Sequence, residues 1–168
     1  MRMDRIASLL LAVLLIFTLS SCRRYESFEY CEMGIYLTRE FEDYDSEGAF
    51  HVAYSDGETI VGINRFSFVD CEEYGLLTTY TPEQLAKVYL YKLGSEAIDG
   101  VEAHGDVPYF CYTALSSDGN KYFYMPTFYR TPYAYFVITF VTPDIRAAEG
   151  RVEFLEYIST VYILDEYL

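Results

Sequence analysis

The sequence lacks the short motifs that mark common catalytic and nucleotide-binding sites. It has no G-x-S-x-G nucleophile elbow, no Walker-type phosphate loop, no G-x-G-x-x-G turn and no H-E-x-x-H metal motif. Histidine is scarce: the chain has two, His51 and His104. A lone histidine without a partner motif is more often structural than catalytic. We therefore predict no catalytic residue, no cofactor and a protein that is not an enzyme.

Closely spaced cysteines are also missing. Cys31, Cys71 and Cys111 lie forty residues apart, which excludes short metal-binding pairs such as C-x-x-C. Three thiols can form at most one disulfide, so at least one of them is free. We expect two of the three to be buried structural cysteines. A thiol–imidazole pair of Cys111 with His104 has no local sequence signature to support it.

One acidic segment, Asp43 to Gly48, begins like a calcium-binding loop of the form D-x-D-x-E-G. An EF-hand requires a bidentate glutamate at position twelve, and that position is Tyr54 in this chain. The segment also leads into a predicted strand, whereas an EF-hand loop leads into a helix. The pattern therefore indicates an acidic surface loop, and we predict no metal site.

Positive charge is scarce relative to negative charge. The chain has 12 basic and 26 acidic residues, and its formal net charge is −14. Such a surface repels nucleic acid and anionic lipid, so we predict no nucleic-acid partner. Arg23 and Arg24 are the exception, because they follow Cys22 directly and are placed to touch anionic lipid headgroups.

A long apolar run is absent as well. The segment from Ile6 to Phe17 is apolar apart from Ser8, and is too short to span a bilayer, which needs about twenty residues. With Arg2 and Arg5 before it, the segment suits a cleaved export signal. The sequence that follows, Leu19-Ser20-Ser21-Cys22, resembles the lipobox of bacterial lipoprotein precursors. An ordinary secretory signal followed by a chance cysteine is the alternative.

The lipobox resemblance implies an extracytoplasmic protein anchored to a bacterial membrane through a lipidated Cys22. In that family the cysteine thiol receives a diacylglyceryl group, and cleavage occurs immediately before the cysteine. Two or more acyl chains hold a protein stably at the membrane, whereas one chain binds marginally. The implied organisation is a signal peptide over 1–21, a membrane-proximal linker over 22–29 and a single domain over 30–168. Such a linker reaches at most roughly 28 Å.

Aromatic strand-forming residues are abundant, with 19 tyrosines and 12 phenylalanines. Between Val107 and Val141, three runs rich in such residues are separated by two short breaks that contain glycine or proline, which predicts an antiparallel meander. Pro126 interrupts the middle run and predicts a bulge or an unpaired position. Because both faces of the meander are largely apolar, we expect a layer on each side.

Alternation along the last run of the meander assigns its side chains to two faces. The face we expect to be buried carries Ala134, Phe136, Ile138 and Phe140. The face we expect to be mixed and partly wet carries Tyr133, Tyr135, Val137, Thr139 and Val141. Tyrosine has an apolar ring with a polar tip and suits interfaces. We therefore take Tyr133 and Tyr135 as a candidate interaction surface.

Upstream of the meander the patterns predict three strands and a helix. Met33, Ile35 and Leu37 alternate with other residues as in a half-buried strand. Two further strands, over 49–55 and 58–69, flank Asp56-Gly57, a strong hairpin turn signal. Thr81-Pro82-Glu83-Gln84 is a capping box at a helix start, and Gly94 is a natural C-cap.

A second helix is predicted over 145–162, after Thr142-Pro143-Asp144. Its apolar stripe consists of Val152, Leu155, Ile158 and Tyr162, together with Phe154 and Val161. Gly150 is expected to weaken the helix.

The segments EMGIYLTREF, GETIVGINRFSF and EFLEYISTVYI resemble the PsbP-like family. That resemblance implies an α+β fold, a twisted antiparallel sheet of about six strands with helices packed on its faces as an α/β/α sandwich. The fold occurs in an extrinsic photosystem subunit, a Ran-binding import factor and many small bacterial lipoproteins. Many members act as binding or assembly factors. We therefore expect a non-catalytic binding or assembly module with an envelope protein as partner. The alternative is an envelope-acting hydrolase with an unrecognised site.

Overall fold

The computed structural model describes residues 24–94, 100–116 and 119–167. The predicted signal peptide and Cys22 lie outside these ranges. The strands in chain order are β1 Tyr25–Tyr30, β2 Met33–Thr38, β3 Glu42–Asp43, β4 Val52–Ser55, β5 Ile60–Ser67, β6 Glu102–His104, β7 Val107–Tyr109, β8 Tyr112–Leu115, β9 Lys121–Arg130, β10 Ala134–Pro143 and β11 Tyr162–Ile163. The helices are α1 Pro82–Leu93 and α2 Ala147–Ile158, with short 3-10 turns at Asp144–Arg146 and Asp165–Tyr167.

The strands form two antiparallel sheets. The large sheet has the order β3-β4-β5-β10-β9-β7-β6, with β8 also paired to β9, and the small sheet has the order β1-β2-β11. The predicted class, an antiparallel sheet with helices on its faces, is confirmed. The number of strands differs, because the described residues form one sheet of eight strands and one of three instead of a single sheet of about six. The added strands are mostly two to four residues long, which is too short to leave a clear alternating pattern.

Strand β10 lies between β5 and β9 and is buried on both of its faces. Phe136, Ile138 and Phe140 belong to a core with α2 and β2. Tyr135 and Val137 belong to a second core with α1. The layer order is therefore the small sheet with α2, then the large sheet, then α1. This arrangement confirms the prediction of a layer on each side of the meander.

The first run of the meander is divided where it faces Pro126. Tyr109 pairs with Thr127 and Tyr112 pairs with Tyr124, so the register places Phe110 opposite Pro126. Proline has no N–H to donate to a neighbouring strand. The ladder is interrupted at this point, between β7 and β8, while β9 itself continues from Lys121 to Arg130.

The predicted hairpin turn and the capped helix are confirmed. Asp56 Oδ1 accepts hydrogen bonds from the backbone N–H groups of Glu58 and Thr59, and Gly57 has a φ of 92°. At α1, Thr81 Oγ1 accepts from the Gln84 N–H at 3.2 Å, and Gln84 Oε1 accepts from the Thr81 N–H at 2.9 Å. These reciprocal bonds satisfy backbone donors that the helix itself leaves unpaired.

The prediction of a second helix is wrong at its end, and its apolar stripe is right at Phe154 and Ile158, which are buried, but wrong at Val152. Helix α2 ends at Ile158, and Tyr162 belongs to β11, which pairs with β2. Val152 is 62% exposed, whereas Phe154 and Tyr157 are buried against Phe140. Apolar residues at helical spacing occur on more than one side of this helix, so the sequence alone does not identify the buried side. Packing against the sheet decided which side is buried.

The predicted linker is shorter than expected. Strand β1 begins at Tyr25 and takes up most of the range 22–29. Its alternate residues Phe28 and Tyr30 pack on the core, and the ring of Phe28 lies 4.6 Å from that of Tyr54. The domain therefore starts five residues earlier than the sequence pattern indicates.

Candidate functional site

A groove of about 400 Å³ opens on the α1 face of the large sheet, beside the last two turns of α1. Its floor is formed by neighbouring strands, and its walls by the helix, the segment before the helix and the β7–β8 connection. The described residues that line this aromatic groove are Asn64, Phe66, Tyr74, Leu76, Tyr89, Lys92, Leu93, Phe110, Tyr112, Pro126, Val137 and Thr139.

Aromatic rings surround the groove as a continuous series. On one side, the ring of Phe66 lies 5.1 Å from Tyr74 and 6.3 Å from Tyr89, both edge to face. On the other side, Phe110 lies 6.1 Å from Tyr112. Phe128 joins the two sides, at 5.2 Å from Tyr89 and 5.7 Å from Phe110. Such offset and edge-to-face contacts stabilise ring pairs, so the walls are held by their own packing.

A few polar groups lie among these rings. Lys92 is the charged side chain among the described lining residues, and its Nζ donates to the Tyr74 carbonyl at 3.3 Å. Asn64 and Thr139 contribute polar side chains to the floor. Burial raises the pKa of Tyr89 well above its usual range, so its hydroxyl stays neutral at physiological pH. A largely apolar cavity with a few polar groups is typical of a non-covalent binding site.

Pro126 contributes to the floor of the groove. This proline lies on the floor between Thr139, its neighbour on β10, and the β7–β8 connection. Phe110 and Tyr112 lie on the same side of this first run, whereas Tyr109 and Cys111 face the other core. Both rings line the groove. The sequence indicated an irregularity at Pro126 but did not indicate that a groove lies there.

The two tyrosines of the candidate interaction surface, Tyr133 and Tyr135, differ in exposure. Tyr133 is 55% exposed, in the turn before β10, and stays a candidate. Tyr135 is fully buried, and its hydroxyl lies 2.8 Å from the Leu77 carbonyl and 2.9 Å from the Tyr80 carbonyl. The expectation that Tyr135 faces water is wrong because the segment preceding α1 covers it. Val137 and Thr139 on the same strand face are buried and line the floor of the groove.

The two histidines have structural hydrogen bonds. His51 Nδ1 accepts from the Arg65 N–H at 2.9 Å. His104 Nε2 lies 2.9 Å from Ser159 Oγ and connects β6 to the end of α2. The structure therefore places both histidines in contacts that position the backbone or join elements.

Within the described residues Cys31, Cys71 and Cys111 form no disulfide; Cys71 and Cys111 are buried and Cys31 is exposed. This agrees with the expectation of two buried structural thiols. Burial raises the pKa of the Cys71 thiol, which keeps it protonated and unreactive.

A buried ion pair lies on the opposite side of the large sheet from the groove. Glu32 is 3% exposed, and both of its carboxylate oxygens accept hydrogen bonds from the Arg65 guanidinium. The hydrogen bond from Arg65 lowers the pKa of Glu32 below its usual range. Arg65 also lies over the ring of Phe136 at 5.9 Å. The pair connects the β1–β2 hairpin to β5, which is a structural role.

Two kinds of feature are absent from the described residues. No group of three or more histidine, cysteine, aspartate and glutamate side chains in the part of the chain that the structure describes is arranged to hold a metal ion. Over the same ranges, no helix combines the length and the apolar character needed to cross a membrane.

The fold is similar to those of two solved structures. One is a crystal structure of a protein from Bacteroides thetaiotaomicron, with a TM-score of 0.56 and 13% identity over 84% of this chain and 49% of that one. The other is the solution structure of cyanobacterial PsbP, CyanoP, from Synechocystis, with a TM-score of 0.52 and 9% identity over 86% of this chain and 95% of that one. This chain thus spans about half the length of the Bacteroides protein.

Comparisons of the sequence gave no match. No protein-family model matches the chain, and no curated protein matches it. At 9% and 13% identity, the structural likeness shows the fold alone. The chain therefore has a PsbP-like fold.

Proposed function

We propose that this protein is a membrane-anchored extracytoplasmic lipoprotein whose domain is a non-catalytic binding or assembly module for an envelope protein. The observation that carries the binding role is the aromatic groove. Its volume of about 400 Å³ lies in the range of ligand-binding cavities. Five aromatic rings among its described lining residues offer flat apolar surface at a low cost in side-chain entropy.

The occupant we propose for the groove is a short apolar or aromatic segment of a protein partner. The groove is partly open to solvent, so a segment of chain can enter it. Lys92 and Tyr74 lie together at one wall, where the lysine ammonium and the tyrosine hydroxyl can bind carbonyl groups of such a segment. Aromatic residues are common anchors of protein–protein interfaces, which supports this assignment.

Site-specific photocrosslinking in living cells that make the full chain tests the groove. A benzophenone side chain replaces Tyr74, which is 47% exposed at the groove, or Tyr44, which is 44% exposed and does not line it. We expect one discrete protein adduct from position 74 and none from position 44. Equal yields at both positions, or no adduct at either, would remove the groove as the binding site. Capture of an envelope molecule that the purified protein then hydrolyses would favour the enzyme alternative.

The anchor is proposed from the lipobox resemblance of Leu19-Ser20-Ser21-Cys22. Replacing Cys22 with alanine removes the thiol that would carry the lipid, so we expect the protein to leave the detergent phase in a phase-partitioning experiment. Wild type should remain in the detergent phase. As a control, Cys31→Ala changes an exposed thiol outside the lipobox and should partition like wild type. Equal partitioning of wild type and Cys22→Ala into detergent would contradict the lipoprotein assignment.

A further inference from the structure

The outer face of the small sheet is aromatic and nearly free of charge. Residues of β1 and β2 that pair in register share this face, and Tyr25 and Tyr36 on it are 42% and 43% exposed. Tyr162 of β11 completes the face, with its ring 5.3 Å from Tyr36. Glu29 is the charged residue here among the described ones, and its carboxylate accepts a hydrogen bond from Tyr162 at 2.9 Å. We call this surface the tyrosine face.

The tyrosine face lies next to the proposed lipid attachment point. Strand β1 begins at Tyr25, three residues after Cys22. Three extended residues reach at most about 11 Å. A lipid on Cys22 would therefore keep Tyr25, the start of the first strand, within that distance of its attachment point.

Basic side chains concentrate at the same end of the sheet. Arg23 and Arg24 precede Tyr25 in the sequence. Arg39 is adjacent to them in space, since its N–H donates to the Arg24 carbonyl at 3.1 Å. Glu26 offsets one of these charges through its ion pair with Arg39. Glu40 follows Arg39 in the chain, so three arginines stand against two glutamates here. In a chain with a net charge of −14, this slightly basic end reduces the repulsion from anionic headgroups.

We propose that the tyrosine face docks on the membrane surface. Tyrosine is enriched at the boundary between headgroups and hydrocarbon because its ring is apolar and its hydroxyl is wet. The tether length, the local arginines and the low charge of the face all identify a lipid surface as its occupant. This inference rests on the proposed lipid anchor.

The docking sets the orientation of the whole domain. The small sheet and α1 lie on opposite faces of the large sheet. When the tyrosine face rests on the bilayer, the aromatic groove beside α1 points away from it. The domain then presents its binding groove to partners in the aqueous space rather than to lipids.

Fluorescence quenching on vesicles tests this orientation with the full lipidated chain. In a Cys31→Ser background, a bimane label is attached at Ser27→Cys on the tyrosine face or at Tyr91→Cys, which is 88% exposed on α1. The vesicles contain phosphatidylcholine and phosphatidylglycerol at a three-to-one ratio, with a spin label on a fraction of the headgroups. We expect quenching of the Ser27 label to exceed that of the Tyr91 label several-fold.

A double variant tests whether the tyrosines cause the docking. Tyr25→Glu with Tyr36→Glu should bring quenching at position 27 down toward the level at position 91. Tyr44→Glu is the matched control, because Tyr44 has the same exposure but lies elsewhere, and should leave quenching unchanged. Should the double variant fail to fold, the comparison of positions 27 and 91 in the unmutated face still decides the proposal.

The outcomes separate docking from anchoring. Protein that does not float with the vesicles contradicts the lipid anchor, and the docking proposal falls with it. Protein that floats but shows equal quenching at the two positions overturns the docking and leaves the anchor standing. Shielding at position 27 that appears only at high protein density means that a second copy of the chain covers the face, which also overturns the proposal.

Discussion

At the residue scale, Glu32 and Arg65 illustrate why a buried charge requires its partner. Glu32 is 3% exposed and Arg65 is held over Phe136, so neither group can regain full hydration when the other is removed. Burying an unpaired charge is costly, whereas an exposed pair contributes little. The chain contains both cases, because Glu26 and Arg39 form a pair in which each side chain is half exposed.

We expect Glu32→Ala to lower the free energy of unfolding by about 3 kcal/mol, because it leaves the Arg65 guanidinium without a partner. Glu26→Ala, the exposed control, should lower it by about 0.5 kcal/mol or less. Urea denaturation at neutral pH measures both. Similar effects of the two substitutions would show that the Glu32–Arg65 pair does not have the structural role assigned to it.

The same carboxylate predicts a pH dependence. Its folded pKa is lowered by Arg65, so the unfolded state binds the proton more readily and stability rises with pH. The contribution is fully present above the unfolded pKa of about 4.3 and is lost as the pH falls through the lower folded value. The stability difference between wild type and Glu32→Gln should therefore be constant from pH 7 to about pH 5 and shrink below about pH 4. A difference that grows in acid would contradict this sign.

Tyr133 and Tyr135 should respond differently to the same substitution. Tyr135→Ser removes a fully buried ring, so we expect a loss of about 3–5 kcal/mol. Tyr135→Phe keeps the ring and should cost about 1 kcal/mol, the value of its hydrogen bond to the segment before α1. Tyr133→Ser should change the free energy of unfolding little, because Tyr133 is 55% exposed. Chemical denaturation of the three variants provides the comparison.

At the scale of elements, helix α1 is stabilised at its start by local bonds and along its length by packing. Thr81→Ala removes the hydroxyl that accepts from Gln84, and we expect a cost of about 1 kcal/mol. Leu85→Ala opens a cavity under the helix and should cost about 2–5 kcal/mol, because Leu85 is fully buried. Glu83→Ala, at an exposed position, is the control. Equal stability of Leu85→Ala and wild type would contradict the packing of α1 on the sheet.

The small sheet depends on a close approach at Gly34. A Cβ at this position would lie 2.4 Å from Cζ of Tyr162, which crosses the strand there. Gly34→Ala should therefore displace the Tyr162 ring and weaken the pairing of β11, at a cost of about 1–3 kcal/mol. Amide exchange of Tyr162 and Ile163 should become faster. Unchanged exchange at these residues would show that the ring is not held against β2.

At the scale of the whole molecule, β10 makes the two cores one cooperative unit. Its alternate side chains enter the core with α2 and the core with α1, so neither core can open without exposing the strand. We expect a single unfolding transition, with far-ultraviolet and near-ultraviolet circular dichroism giving the same midpoint. Phe154→Ala in one core and Leu85→Ala in the other should each shift that one transition. Two separate transitions in either variant would contradict the coupling.

Local patterns in the sequence determined the elements whose signals need few neighbours. The capping box at Thr81 and the turn at Asp56-Gly57 involve bonds between residues at most three apart. The alternation of β10 defined its two faces, because neighbouring side chains on a strand point in opposite directions. The predicted α+β class with layers on both faces was correct for the same reason, since each strongly apolar face requires a cover.

Tertiary structure decided which of the remaining surfaces are covered. Tyr135 and Tyr133 have the same side chain, but the segment before α1 covers the first and leaves the second exposed. Tyr162 fits a helical stripe as well as it fits a strand, and contact with Gly34 selected the strand. The aromatic groove joins side chains from Asn64 to Thr139. Burial and cavities depend on packing between residues distant in sequence, whereas periodicity reports the character of each face without identifying what lies against it.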